Sequence, residues 1–133
     1  MPTIGSGSRT WLVVAALLGG LAVALGAFGA HGLKARFPAD DPMLANWETA
    51  ARYQMYHALA LLAVALLVAK NGSRLLHMAG LSMTIGTLIF SGCLYVMVLT
   101  GQRRLGAVVP LGGVLLIVGW ILLALAAFRN TSA

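Results

Sequence analysis

The chain has 133 residues, of which 60% are hydrophobic and only 9% charged, with a formal net charge of +6. Soluble domains carry about 25% charged residues, and a fold of this length has too little interior to hide so much apolar surface from water. An ordinary soluble domain is excluded, and the nine Lys and Arg are scattered through every connector, as basic flanks of membrane spans are, rather than gathered into a nucleic-acid surface.

The apolar residues fall into four blocks: Trp11–Ala30, Tyr53–Ala69, Leu75–Thr100 and Leu105–Phe128. A membrane-crossing helix needs about 20 mainly apolar residues, and the first, third and fourth blocks meet that alone. The first block is longer than the apolar core of a cleaved signal peptide, so it is expected to remain as a span. It ends among Gly26, Gly29 and Gly32, with His31, Lys34 and Arg36 close by.

The second block is short by itself, but the residues before it extend it. Asp41 reads as an N-cap and Pro42 as a first helical position. Glu48 and Arg52 stand four apart, the spacing of a stabilising pair on one helix face. Helix two is therefore expected to begin near Pro42, with its first turns at the membrane surface and Trp47 and Tyr53 at headgroup level.

The connectors Lys70–Arg74 and Gly101–Arg104 are short, which makes successive helices antiparallel neighbours. The expected fold class is all-α: a multi-pass membrane protein built as a four-transmembrane-helix bundle, with an interfacial start to helix two. Residues 1–133 form one integral membrane domain with spans near 11–30, 50–69, 76–100 and 105–128. Both termini lie on one side. That side carries Arg9, Lys70, Arg74 and Arg129, and the other Lys34, Arg36, Arg52, Arg103 and Arg104, a division too even to orient the chain by its cations.

Helix rise then places a set of polar residues at one depth. His57 lies thirteen residues before Lys70, which puts it about 10 Å inside the opposite edge of a roughly 30 Å hydrocarbon core. Gln54 and Tyr56 share its zone. The same count brings Ser91, Cys93 and Tyr95 of helix three and Pro110 of helix four to that level, with His31 at the mouth and His77 near the opposite surface. Polar groups in hydrocarbon need partners, and an ionisable one is by default a candidate functional site. The layer of Gln54, Tyr56, His57, Ser91 and Tyr95 is therefore the candidate site. Gly26, Gly29, Gly112 and Gly113 are the expected points of close helix packing.

The chain holds one cysteine and no HExxH, GxSxG or phosphate-loop pattern. His31, His57 and Cys93 are too few suitably spaced ligands for a haem or copper centre, and no nucleophile–base pair stands out. No metal, cofactor or enzymatic activity is expected.

Four segments, "GAFGAHGLK" at 26–34, "WETAARYQMYHALALL" at 47–62, "FSGCLY" at 90–95 and "PLGGVLLIVGW" at 110–120, together resemble the domain of unknown function 423 family. Its members are small four-helix membrane proteins related to transmembrane protein 256 of eukaryotes. The resemblance covers nearly the whole chain and implies a protein of the bacterial inner membrane. Cys93 departs from it, since serine is usual there, so the resemblance carries no thiol chemistry. Nor does it bring an activity, a substrate or catalytic residues.

Two functions are compatible with these residues. One is a structural or accessory subunit that packs against other membrane proteins or itself, as glycine-rich faces and tiny loops favour. The other is a conduit for a proton, an ion or a small solute through the layer around His57. The expected partners are the lipid bilayer and either a homo-oligomer or a larger membrane complex, with no nucleic acid.

Overall fold

The structure is a computed structural model and describes residues 4–130. Four long helices carry the chain: α1 (Ser6–His31), α2 (Pro42–Lys70), α3 (Arg74–Thr100) and α4 (Val109–Asn130). All four are long and apolar enough to cross a membrane. Short 3₁₀ turns, Leu33–Ala35 and Arg103–Ala107, occupy the first and third connectors.

Local chemistry sets the ends. The Asp41 carboxylate accepts from the Met43 N–H at 2.8 Å with Pro42 in the first helical position, so α2 starts where the sequence places it. Ser73 caps α3 in the same way, accepting from the Leu75 N–H. Gly101 ends α3 at φ 73°, the one positive φ among the described residues, and its N–H bonds the Met97 carbonyl at 2.9 Å. A Cβ is costly in that conformation, so glycine is the residue that turns the chain there.

Helix four departs from a simple count. Its apolar block begins at Leu105, yet the backbone stays in a 3₁₀ turn to Ala107 and α4 opens at Val109. Pro110 thus falls in the first turn, where its missing N–H has no intrahelical partner to lose.

The helices pack in serial order, α1 along α2, α2 against α3 and α3 along α4. The central pair is the more buried, while α1 and α4 leave most of their apolar surface uncovered. Leu61, Val64, Leu76 and Met83 form the heart of the core, with Trp11 and Leu18 brought in from α1. At the other end Leu33 of the first connector inserts beside Trp47 and Val98, so the connector is fastened over the bundle.

Without a hydrophobic drive between helices in lipid, close van der Waals contact has to hold the seams. The α3–α4 seam is the tightest. A Cβ built on Gly112 would lie 2.9 Å from the Gly86 carbonyl oxygen and 2.9 Å from the Cα of Phe90. One on Gly86 would lie 2.9 Å from the Leu116 nitrogen. Of the four glycines expected to mediate packing, Gly112 meets backbone and Gly29 lies under the Trp47 indole, whereas Gly26 and Gly113 make ordinary contacts of 3.9 Å. Gly86 and Gly80, the latter beneath Trp11, belong to the same set and were not among those expected.

Gly112→Ala is expected to destabilise the protein by about 1–3 kcal/mol, the usual range for overpacking. Gly20→Ala is the control, because nothing lies within 4 Å of a Cβ there. Thermal unfolding in detergent micelles checks this, and equal melting temperatures for the two variants would contradict so close a seam.

Candidate functional site

Each member of the expected layer is positioned by its own helix. Gln54 is only 4% exposed. Its Nε2 donates to the Leu18 carbonyl of α1 at 2.8 Å, and its Oε1 accepts from the Tyr95 hydroxyl of α3 at 2.9 Å. One amide therefore joins three helices. Ser91, 2% exposed, donates to the Ala50 carbonyl at 2.7 Å and ties α3 to α2 a second time.

His57 is 5% exposed, and both of its ring nitrogens are engaged. Nδ1 lies 2.7 Å from the Tyr53 carbonyl oxygen, one turn back on α2. Nε2 lies 3.1 Å from Nε1 of Trp120 on α4. The indole N–H is a donor only, so Nε2 accepts and Nδ1–H donates to the carbonyl. These roles assign the neutral Nδ1–H tautomer. A second proton on Nε2 would set two donors against each other.

Tyr56 does not join these residues. It is 51% exposed and packs its ring near Tyr53 on the outer face of α2. Residues 54 and 57 are three apart and share a helix face, whereas 56 is two from 54 and turns away. Depth alone groups the three residues; the helical angle separates Tyr56 from Gln54 and His57. Cys93 is half-buried and Pro110 exposed, and neither forms a side-chain hydrogen bond to the layer. His31 is exposed in the last turn of α1 and makes no hydrogen bond to the layer.

The sequence reading missed the partner of His57. Trp120 lies two helical turns beyond Gly112, which packs against Phe90. Side chains lean toward the helix N-terminus, and on α4 that tilt carries the indole back to the level of His57. A second Trp–His pair, Trp11 Nε1 to His77 Nδ1 at 3.0 Å, joins α1 to α3 away from the layer. Trp47 completes the pattern by donating to the Leu25 carbonyl of α1 at 2.7 Å.

Two cavities flank these contacts. One, of about 620 Å³, lies between the end of α1 and the start of α2, and Lys34, Asp40, Asp41 and Glu48 are among its lining. The other, of about 470 Å³, is an almost wholly apolar cleft among α2, α3 and α4 beside His57. Among the described residues no group of three or more His, Cys, Asp or Glu could hold a metal ion.

Fold and site together define a four-helix, multi-pass membrane protein whose intramembrane polar groups bond its own helices to one another. The chain belongs to the family described as Protein of unknown function (DUF423), whose model matches residues 25–113. It is 43% identical over 121 residues to a UPF0382 membrane protein of Staphylococcus aureus, a match covering 91% of this chain and 97% of that protein. It is likewise 43% identical over 122 residues to the UPF0382 membrane protein YwdK of Bacillus subtilis, covering 91% of this chain and 98% of YwdK. No solved structure matches. With these bacterial relatives and its four candidate spans, the chain is a multi-pass protein of the bacterial plasma membrane.

Gln54→Leu takes the acceptor from the Tyr95 hydroxyl and the additional donor from the Leu18 carbonyl, and is expected to cost about 1–3 kcal/mol, the range for a partner left unsatisfied when buried. Chemical unfolding in mixed micelles measures it. A double-mutant cycle between His57→Phe and Trp120→Phe is expected to give a coupling of about 0.6 kcal/mol, the average for hydrogen bonds between membrane helices. Strict additivity would mean that the ring-to-indole bond contributes nothing.

Proposed function

We propose that this protein is a structural or accessory subunit, a compact helical unit that packs with other membrane proteins or with copies of itself. The observation that carries this reading is the state of His57, whose two ring nitrogens both hold neighbouring groups in place. A proton relay needs a nitrogen free to exchange with the next carrier, and a bonded imidazole clamped between a carbonyl and an indole serves that purpose poorly. Gln54, Ser91 and Tyr95 are engaged in the same way. Such a layer locks four thin helices into one shape. The uncovered apolar faces of α1 and α4 are then surfaces for other helices to pack on.

Two measurements test the proposal. Extraction from native membranes in mild detergent, at the natural expression level, is expected to yield a particle heavier than one chain. A lone particle of one chain's mass would overturn the proposal. In proteoliposomes, wild type and His57→Ala are expected to show the same proton leak. A flux carried by wild type and lost in His57→Ala would establish the conduit reading instead.

A further inference from the structure

The cleft beside the layer is lined by Tyr53, Tyr56, His57, Phe90, Gly113 and Trp120. Ligand pockets of roughly 300–1,000 Å³ walled by aromatic and apolar side chains, with few polar groups, are the usual form of a small-molecule site, and this cleft's 470 Å³ falls in that range. It opens on a flank where Tyr53, Tyr56, Ile117 and Trp120 are all exposed. On a membrane-spanning bundle that flank meets acyl chains, not water. His57 offers the cleft no free polar atom, because both nitrogens are bonded elsewhere. The hydroxyls of Tyr53 and Tyr56 do: neither hydrogen-bonds to any described residue.

Charge selects among lipids. Phe90 packs in the same cluster as Leu105 of the third connector and Val109 at the start of α4. Arg103 and Arg104, which precede Leu105 in the same 3₁₀ turn, are exposed at the end of the bundle toward which the cleft lies. The one ion pair among the described residues joins Arg52 and Glu48, so neither arginine is neutralised. All three acids of the chain line the other cavity, between α1 and α2. We propose that the cleft is a binding site for an anionic phospholipid. One acyl chain fills the aromatic cleft, the tyrosine hydroxyls donate to ester or phosphate oxygens, and Arg103 and Arg104 attract the headgroup. This site goes beyond the accessory role and does not depend on it.

Trp120 reports on the site directly, being 48% exposed while Trp11 and Trp47 are only 8% and 2% exposed. The full chain is reconstituted into vesicles of equal phosphatidylglycerol and phosphatidylcholine, with mid-chain bromine on one lipid or on the other. Overall charge is then identical and only the quencher moves. A cation at the surface is worth about fivefold in association with an anionic lipid, so two give a preference of about twenty-five-fold. Bromine on phosphatidylglycerol is expected to quench tryptophan fluorescence more strongly.

The excess quenching should vanish in Trp120→Phe, in Gly113→Leu and in the double variant Arg103→Gln/Arg104→Gln. A Cβ at Gly113 meets only the Phe90 ring, at 3.9 Å, and Gly113 lines the cleft, so a larger side chain there is directed at its volume. If Gly113→Leu nevertheless fails to fold, the arginine pair decides, since both residues are exposed. Equal quenching by the two labels in wild type would overturn the proposal, leaving only ordinary annular contact. So would an excess that survives Trp120→Phe or the arginine variant.

Discussion

The amide of Gln54 bonds a carbonyl of α1 and a phenol of α3 from a position on α2. In hydrocarbon neither its N–H nor its oxygen finds water, so both must be satisfied by protein. The requirement acts on the polar side chains that the spans bury, and four of them, Ser8, Gln54, His57 and Ser91, meet it by bridging helices. Ser8 bonds the Ala65 carbonyl across the α1–α2 seam, and Ser82 bonds the Leu115 carbonyl across the α3–α4 seam. Among the described residues, Thr87 Oγ1 is the one buried side-chain polar atom without a partner. The polar groups thus fix which helix faces which.

Close approach makes those bonds possible. Serine and threonine hydroxyls are short, so they reach a neighbouring backbone only where helices nearly touch. Glycines at 86 and 112 bring α3 and α4 to backbone contact. Where helices stand farther apart, tryptophan spans the gap. Trp11, Trp47 and Trp120 each donate to a different helix from their own, and two of them reach past a neighbour to join α1 with α3 and α4 with α2. Serial packing alone leaves the outer helices attached along one side each. The two Trp–His bonds cross-link them to the next helix but one.

This arrangement bears on how the protein works. An ionisable ring deep in a span suggests proton or ion movement, yet both nitrogens of this ring are bonded within the bundle. The chemistry still available to partners lies outside the layer. It consists of an acid-lined cavity at the first connector, an aromatic cleft opening toward lipid, and the uncovered apolar faces of the outer helices. On the accessory role proposed above, these are the surfaces left for association.

Hydropathy determined the class of this protein and its four helices, and the capping residues Asp41 and Pro42 the start of α2, because span length and capping are local properties of sequence. Depth along a helix was legible too, since rise per residue is constant, and it brought Gln54, His57, Ser91 and Tyr95 to one level. It could not separate Tyr56, which shares their depth but turns outward. The glycine pair Gly86–Gly112 and the indole partners of His57 and His77 were beyond it. Those depend on helix rotation, on the N-terminal tilt of side chains and on a 3₁₀ turn that delays the start of α4. Such quantities arise only when helices pack, so the tertiary structure alone decided that His57 is bonded at both nitrogens and that Tyr56 lines an aromatic cleft on the outer face.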